Sequence, residues 1–122
     1  MIKKPITVEQ IKRITAKFYN ADYGIYDTKS RKGEIIKVKH MAIFMAAEHL
    51  IYLSDKAIAE LFNLSNHSTI IHVKKKIRGY METETNKRVL SEVEALKSEI
   101  SNQERTFSNE VINVFFLGKS IN

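Results

Sequence analysis

A chain of 122 residues with 43% hydrophobic and 28% charged side chains has the composition of one domain able to bury its own core. It has no cysteine, no run of the ~18 apolar residues a membrane span needs, and an N-terminal MIKKP without the apolar centre of a signal peptide, which argues against disulfides, thiolate metal sites and membrane insertion. The net charge of +6 is unevenly placed: residues 1–80 hold 15 Lys+Arg against 7 Asp+Glu, a balance of +8, while residues 81–122 hold 5 against 7, a balance of −2, so the positive charge is concentrated as on a polyanion-binding surface.

Thr7 and Gln10 have the spacing of a capping box, flanked by Ile6 and Ile11 as a hydrophobic staple. They predict a first helix from Thr7 to about Tyr19, with Ile11, Ile14 and Phe18 buried, preceded by Pro5 and broken by the NADYG run of residues 20–24. Residues 27–38 are basic and poor in apolar side chains, with Lys29, Arg31 and Lys32 around Gly33, and read as a surface connection. A second helix is predicted from about Lys37 to Leu50. Met41, Ile43, Met45, Ala46, Ala47 and Leu50 make it apolar nearly all round, as in a central buried helix, and alanines at 42, 46 and 47 permit close crossings.

Residues 54–80, SDKAIAELFNLSNHSTIIHVKKKIRGY, are two amphipathic segments joined by a short polar break. The first runs from Ser54, an N-cap, to Phe62, with Asp55 suited to the positive end of the helix dipole and Ala57, Ile58 and Leu61 on one face. Ala59 is small enough to let a second helix approach. NLSN, residues 63–66, favours a turn. The second segment runs from Asn66, with Ser65 or Asn66 as cap, to about Tyr80. Ile70, Val73 and Ile77 face inward and Ile71 broadens the stripe, while Asn66, His67, Ser68 and Thr69 occupy the first turn and Lys74, Lys75, Lys76 and Arg78 follow. Polar groups at the start of a helix and long cations along it are the division of labour of a DNA-reading helix-turn-helix.

A last amphipathic helix is predicted over residues 86–100, with Leu90, Val93, Leu96 and Ile100 covering the far side of the preceding helix and Glu94 and Lys97 in solvent. In the tail, Phe107 and Val111 to Leu117 form an apolar patch. Ser108 could cap a short helix that Gly118 ends, or the run could be a strand; it either folds back on the core or forms a self-association surface.

The string NHSTIIHVKKKI, residues 66–77, resembles the signature R-D-H-[ST]-T-[VI]-[LIV]-H-A-x-x-K-I of the C-terminal DNA-binding domain family of the bacterial replication initiator DnaA. The matching positions are His67, Ser68, Thr69, Ile70, Ile71, His72, Lys76 and Ile77. KHMAIFMAAEHL, residues 39–50, and ITVEQIKRITAKFYN, residues 6–20, are similar to upstream elements of that family. The resemblance covers roughly residues 6–100 and not the tail. It implies that the loop before the second helix sends an arginine into the minor groove, a place that falls to Arg31 by alignment outward from KHMA. Narrow A·T-rich grooves favour Arg because their potential is the most negative. This loop holds fewer arginines than the family usually shows.

No G-x-x-x-x-G-K-[ST] is present, and with six residues ahead of Thr7 there is no room for an initiator's nucleotide-binding module. The chain is expected to be either the isolated DNA-binding part or a small stand-alone protein of that fold. His67 and His72 are five residues apart, about 140° around a helix, and cannot share a metal. His72 is expected to be hydrogen-bonded against the core or near the backbone. Glu48, Asp55 and Glu60 make no catalytic pair.

The expected protein is therefore an all-α, compact bundle of five to six helices containing a helix-turn-helix. Residues 1–100 form the domain and residues 101–122 an apolar extension packed on it. It is expected to bind double-stranded DNA sequence-specifically, without catalysis, cofactor, metal, membrane or small-molecule substrate, in the cytoplasm on the nucleoid. Asn66, His67 and Ser68 are the base-contact candidates and Arg31 the minor-groove candidate. Lys29, Lys39, Ser54, Thr69 and Lys76 are the phosphate candidates. The alternatives are a helix-turn-helix transcription regulator, or an interaction protein acting on itself or a partner through the apolar tail.

Overall fold

The computed structural model describes residues 6–30 and 32–103. Every regular element among them is helical: α1 (Val8–Phe18), a 3-10 turn (Tyr23–Asp27), α2 (Gly33–His49), α3 (Asp55–Leu61), α4 (Ser68–Thr83) and α5 (87–103). The expected all-α bundle is what forms. None of these helices is long and apolar enough to cross a membrane. The expectations for Arg31 and for the apolar tail from Phe107 to Gly118 fall outside the described residues.

α1 begins at the expected capping box, with the Thr7 hydroxyl accepting from the Gln10 amide at 3.1 Å and Gln10 Oε1 accepting from the Thr7 amide at 2.9 Å. It closes at Asn20, which takes the left-handed conformation (φ 54°). The Asn20 amide donates to the Lys17 carbonyl and the Ala21 amide to the Ala16 carbonyl, the paired bonds of a Schellman ending. The buried face differs from the expected one. Ile11 is fully buried, but Ile14 is only half-buried and Phe18 is exposed, packing edge-on to Tyr19 at 5.0 Å. Val8, Ile11, Lys12, Thr15 and Ala16 line the buried stripe instead, because α1 rests on α2 and the 3-10 turn along that i, i+3, i+4 row.

α2 starts at Gly33, four residues before the expected Lys37. Glu34 stands favourably in its first turn, and Ile35 and Ile36 are half-buried, so GEII extends the helix rather than the loop. Val38, the unbroken run Met41 to Ala46, and Leu50 are buried, which makes α2 the centre of the core that α1, α3, α4 and α5 share.

Val93, Leu96 and Ile100 of α5 are buried as expected. They join the same core cluster as Ile70, Val73 and Ile77 of α4, and the polar contacts of α5 go to α2 and the end of α1. Lys37 pairs with Glu92 at 2.8 Å, and the Lys97 ammonium lies 5.8 Å from the Phe44 ring centre rather than in open solvent. The Tyr19 phenol sits in the same corner, where burial, and next the Glu92 carboxylate, push its pKa up.

Candidate nucleic-acid interface

Ser54 caps α3, its hydroxyl accepting from the Ala57 amide at 3.1 Å. The buried face of α3 is Ile58, Ala59 and Phe62, one residue later than the sequence suggested; Leu61 is 47% exposed. The helix ends in a second Schellman closure. Asn63 is left-handed (φ 57°), its amide donates to the Glu60 carbonyl at 3.1 Å, and the Leu64 amide donates to the Ala59 carbonyl at 2.8 Å. An asparagine that tolerates this conformation is thus what turns the chain between the two helices.

α4 buries Ile70, Val73 and Ile77 as expected, whereas Ile71 is 37% exposed and does not widen the stripe. The N-cap position falls on His67, without a side-chain bond. Asn66 Oδ1 accepts from the Ser68 amide at 2.9 Å, so Asn66 satisfies a first-turn donor from one residue further out. Asn66, His67 and Ser68 are all exposed at the start of α4, with Thr69 half-buried behind them. His72 is exposed, contrary to the expectation of a core-facing histidine: it follows the outward Ile71 and lies about 100° around the helix from the buried Val73.

The cations along α4 are anchored to its neighbours. Lys74 pairs with Asp55 of α3 at 2.8 Å, Arg78 with Glu48 of α2 at 3.5 Å, and the Lys76 ammonium lies 2.8 Å from His40 Nδ1 of α2. Lys75 is exposed. Asp55, in the first turn of α3 as expected, and Glu48 also fix the pose of α4 on the rest of the bundle. Of the phosphate candidates, Lys39 and Lys76 come together around His40. Lys39 also donates to the Thr28 carbonyl, which ties the loop bearing the exposed Lys29 back onto α2. Ser54 stands apart from them, at the start of α3.

His40 is half-buried, and its pKa is pushed down to about 4, first by burial and then by Lys76, His72 and Lys39. At neutral pH its ring is therefore uncharged and accepts from Lys76. Neither this role nor that of Lys12, buried beneath the turn, was read from the sequence, because both depend on contacts across elements. Among the described residues no group of three His, Cys, Asp or Glu is placed to hold a metal. A mostly apolar groove of about 310 Å³ lies between Val8, Lys12, Leu50, Tyr52, Leu53 and Leu61, at the seam of α1 with the α2–α3 connection.

Residues 8–77 match the family model described as bacterial dnaA protein helix-turn-helix. The chain is 29% identical over 105 residues to the chromosomal replication initiator protein DnaA of Bacteroides fragilis, covering 84% of this chain and 22% of that protein. The proteins of the same name from Porphyromonas gingivalis and Rhodopseudomonas palustris are each 29% identical, over 100 residues (82% of this chain, 20% of theirs) and 97 residues (80% and 20%). The chain thus spans about a fifth of the length of the curated relatives it matches.

Proposed function

The chain belongs to the bacterial DnaA helix-turn-helix family, and from that premise we propose that it binds double-stranded DNA sequence-specifically, in the manner of DnaA-box recognition, with no catalytic step of its own. The observation that carries this reading is the form of α4: an exposed polar first turn at Asn66, His67 and Ser68, on a helix whose opposite face is locked into the core by Ile70, Val73 and Ile77. A rigid helix with its N-terminal side chains free is what major-groove readout needs.

In this reading Asn66, His67 and Ser68 meet base edges, and Arg31 enters the adjacent minor groove. Lys29, Lys39, Ser54, Thr69 and Lys76 meet phosphates and set the register. Residues 1–100 are the DNA-binding domain and residues 101–122 an apolar extension on it. A protein whose partner is chromosomal DNA works in the cytoplasm, on the nucleoid.

A selection from random duplex oligonucleotides, followed by shift assays across a salt series, tests this. The expected result is one asymmetric consensus bound by a single copy, with log K falling against log salt at a slope of about −4 to −5 if about five phosphates are neutralised. A palindromic consensus bound by a dimer would point to a transcription regulator of the same fold. A slope near zero would overturn DNA binding.

A further inference from the structure

His40 of α2 and Lys76 of α4 meet where the two helices pack. His40 Nδ1 accepts from the Lys76 ammonium at 2.8 Å, and Lys39 and His72 are the other charges acting on the His40 ring. Lys39 comes from the same helix as His40, and Lys76 and His72 from α4, one turn apart. Among the described residues, the charges that act on the His40 ring come from α2 and α4 and are all basic: Lys76, His72 and Lys39. The nearby acids are otherwise engaged: Asp55 with Lys74, Glu48 with Arg78. An imidazole amid these basic groups stays neutral until an anion arrives. An anion near it reverses the balance, because a nearby negative charge favours the protonated ring.

We propose that Lys39, His40, His72 and Lys76 form a phosphodiester site at which DNA binding takes up a proton on His40. This rests on the DNA-binding reading and adds a group to it that charge alone would not nominate. In the free protein the neutral ring holds Lys76 in place as a hydrogen-bond acceptor. When a phosphate settles between the helices, Lys76 turns to a phosphate oxygen, and the ring takes a proton from solvent and becomes a second charged donor to the same anion. Lys39, now turned to the Thr28 carbonyl, and the exposed His72 flank the site. The neutral form cannot donate from the nitrogen that Lys76 occupies, so the full set of donors exists only in the complex. Affinity therefore rises as pH falls, through the interval in which the bound ring is protonated and the free ring is not.

The test compares the full chain with His40→Gln, whose amide oxygen can still accept from Lys76 but takes no proton. Binding to a short duplex is measured at low salt at about pH 5.5 and about pH 8, and calorimetry in buffers of different ionisation enthalpy counts the protons taken up. If phosphate returns the ring to its ordinary value, wild type gains about tenfold in affinity from His40 between those two pH values. His40→Gln loses that share. Proton NMR of the wild-type histidine rings provides an independent check: the His40 resonance should titrate at a higher pH with duplex DNA than without it. A ring that titrates in the same place with and without DNA, or a His40→Gln protein with an undiminished pH ratio and proton count, overturns this inference alone. No binding at any pH overturns the DNA-binding reading with it.

Discussion

The ammonium of Lys12, in α1, donates to the backbone carbonyl of Leu61, the last residue of α3, at 2.6 Å. The side chain runs there beneath two rings, 4.8 Å from the centre of Phe62 and 5.5 Å from that of Tyr26, whose hydroxyl donates in turn to the Lys12 carbonyl at 2.7 Å. The last carbonyls of a helix lack partners of their own and carry its negative end, so a cation is well placed on one. Burial pushes the Lys12 pKa down, with Glu9 and Asp27 opposing it only weakly. The amine nonetheless remains a donor to the carbonyl, so Lys12 fastens the first helix of the domain to the turn of the helix-turn-helix.

Replacing Lys12 with Met keeps most of the buried stem and removes the donor. The expected loss is about 1.5–3 kcal/mol of unfolding free energy, the range for a hydrogen bond from a charged group, read from urea titration. An unchanged midpoint would mean that water replaces Lys12 at the Leu61 carbonyl without cost.

Asp55 and Lys74 join the two helices of the motif with both side chains about three-quarters buried. Asp55→Asn should cost about 1 kcal/mol of stability, near the top of the range for partly exposed pairs. It should also release Lys74 to the solvent face and steepen the salt dependence of DNA binding by about 0.9 for the extra phosphate it can neutralise. A stability loss with the salt slope unchanged would confine the pair to a structural role.

The low pKa of His40 makes the free fold acid-sensitive. Its folded value lies near 4 against an ordinary 6.5, so as pH falls the unfolded chain binds the proton first. The contribution is complete above pH 6.5, is lost between 6.5 and 4, and is constant below. With the ring partly in solvent it amounts to about 1 kcal/mol. Denaturant titrations across that window should show a shallower acid loss for His40→Gln than for wild type, and identical slopes would place the acid sensitivity elsewhere.

Asn66 already spends its carbonyl oxygen on the Ser68 amide, which leaves its NH₂ as the group turned outward. Asp at this position would keep the bond to Ser68 and exchange a donor for an acceptor. Asn66→Asp should therefore melt at the same temperature as wild type yet shift base preference at one position of the site by about 1–3 kcal/mol, towards the amino donor of cytosine. An unchanged preference profile would reduce Asn66 to the maintenance of the first turn.

The sequence by itself determined whatever depends on neighbours along the chain. The Thr7–Gln10 capping box, the Ser54 cap, the apolar wrap of α2 and the Ile70, Val73, Ile77 stripe each follow from spacings within one helix, and periodicity reads such spacings directly. The exposure of Asn66, His67 and Ser68 came from the same source. What the tertiary structure decided are the contacts between helices distant in sequence. It is the angle at which α1 and α3 meet the core that exposes Phe18 and Leu61 and buries Lys12 and Thr15, since an amphipathic stripe fixes a face only to within about one residue of rotation. Lys76 read only as a phosphate candidate and His40 had no role, because nothing in a linear pattern brings α2 and α4 together. Only packing sets the Lys76 ammonium against the His40 imidazole.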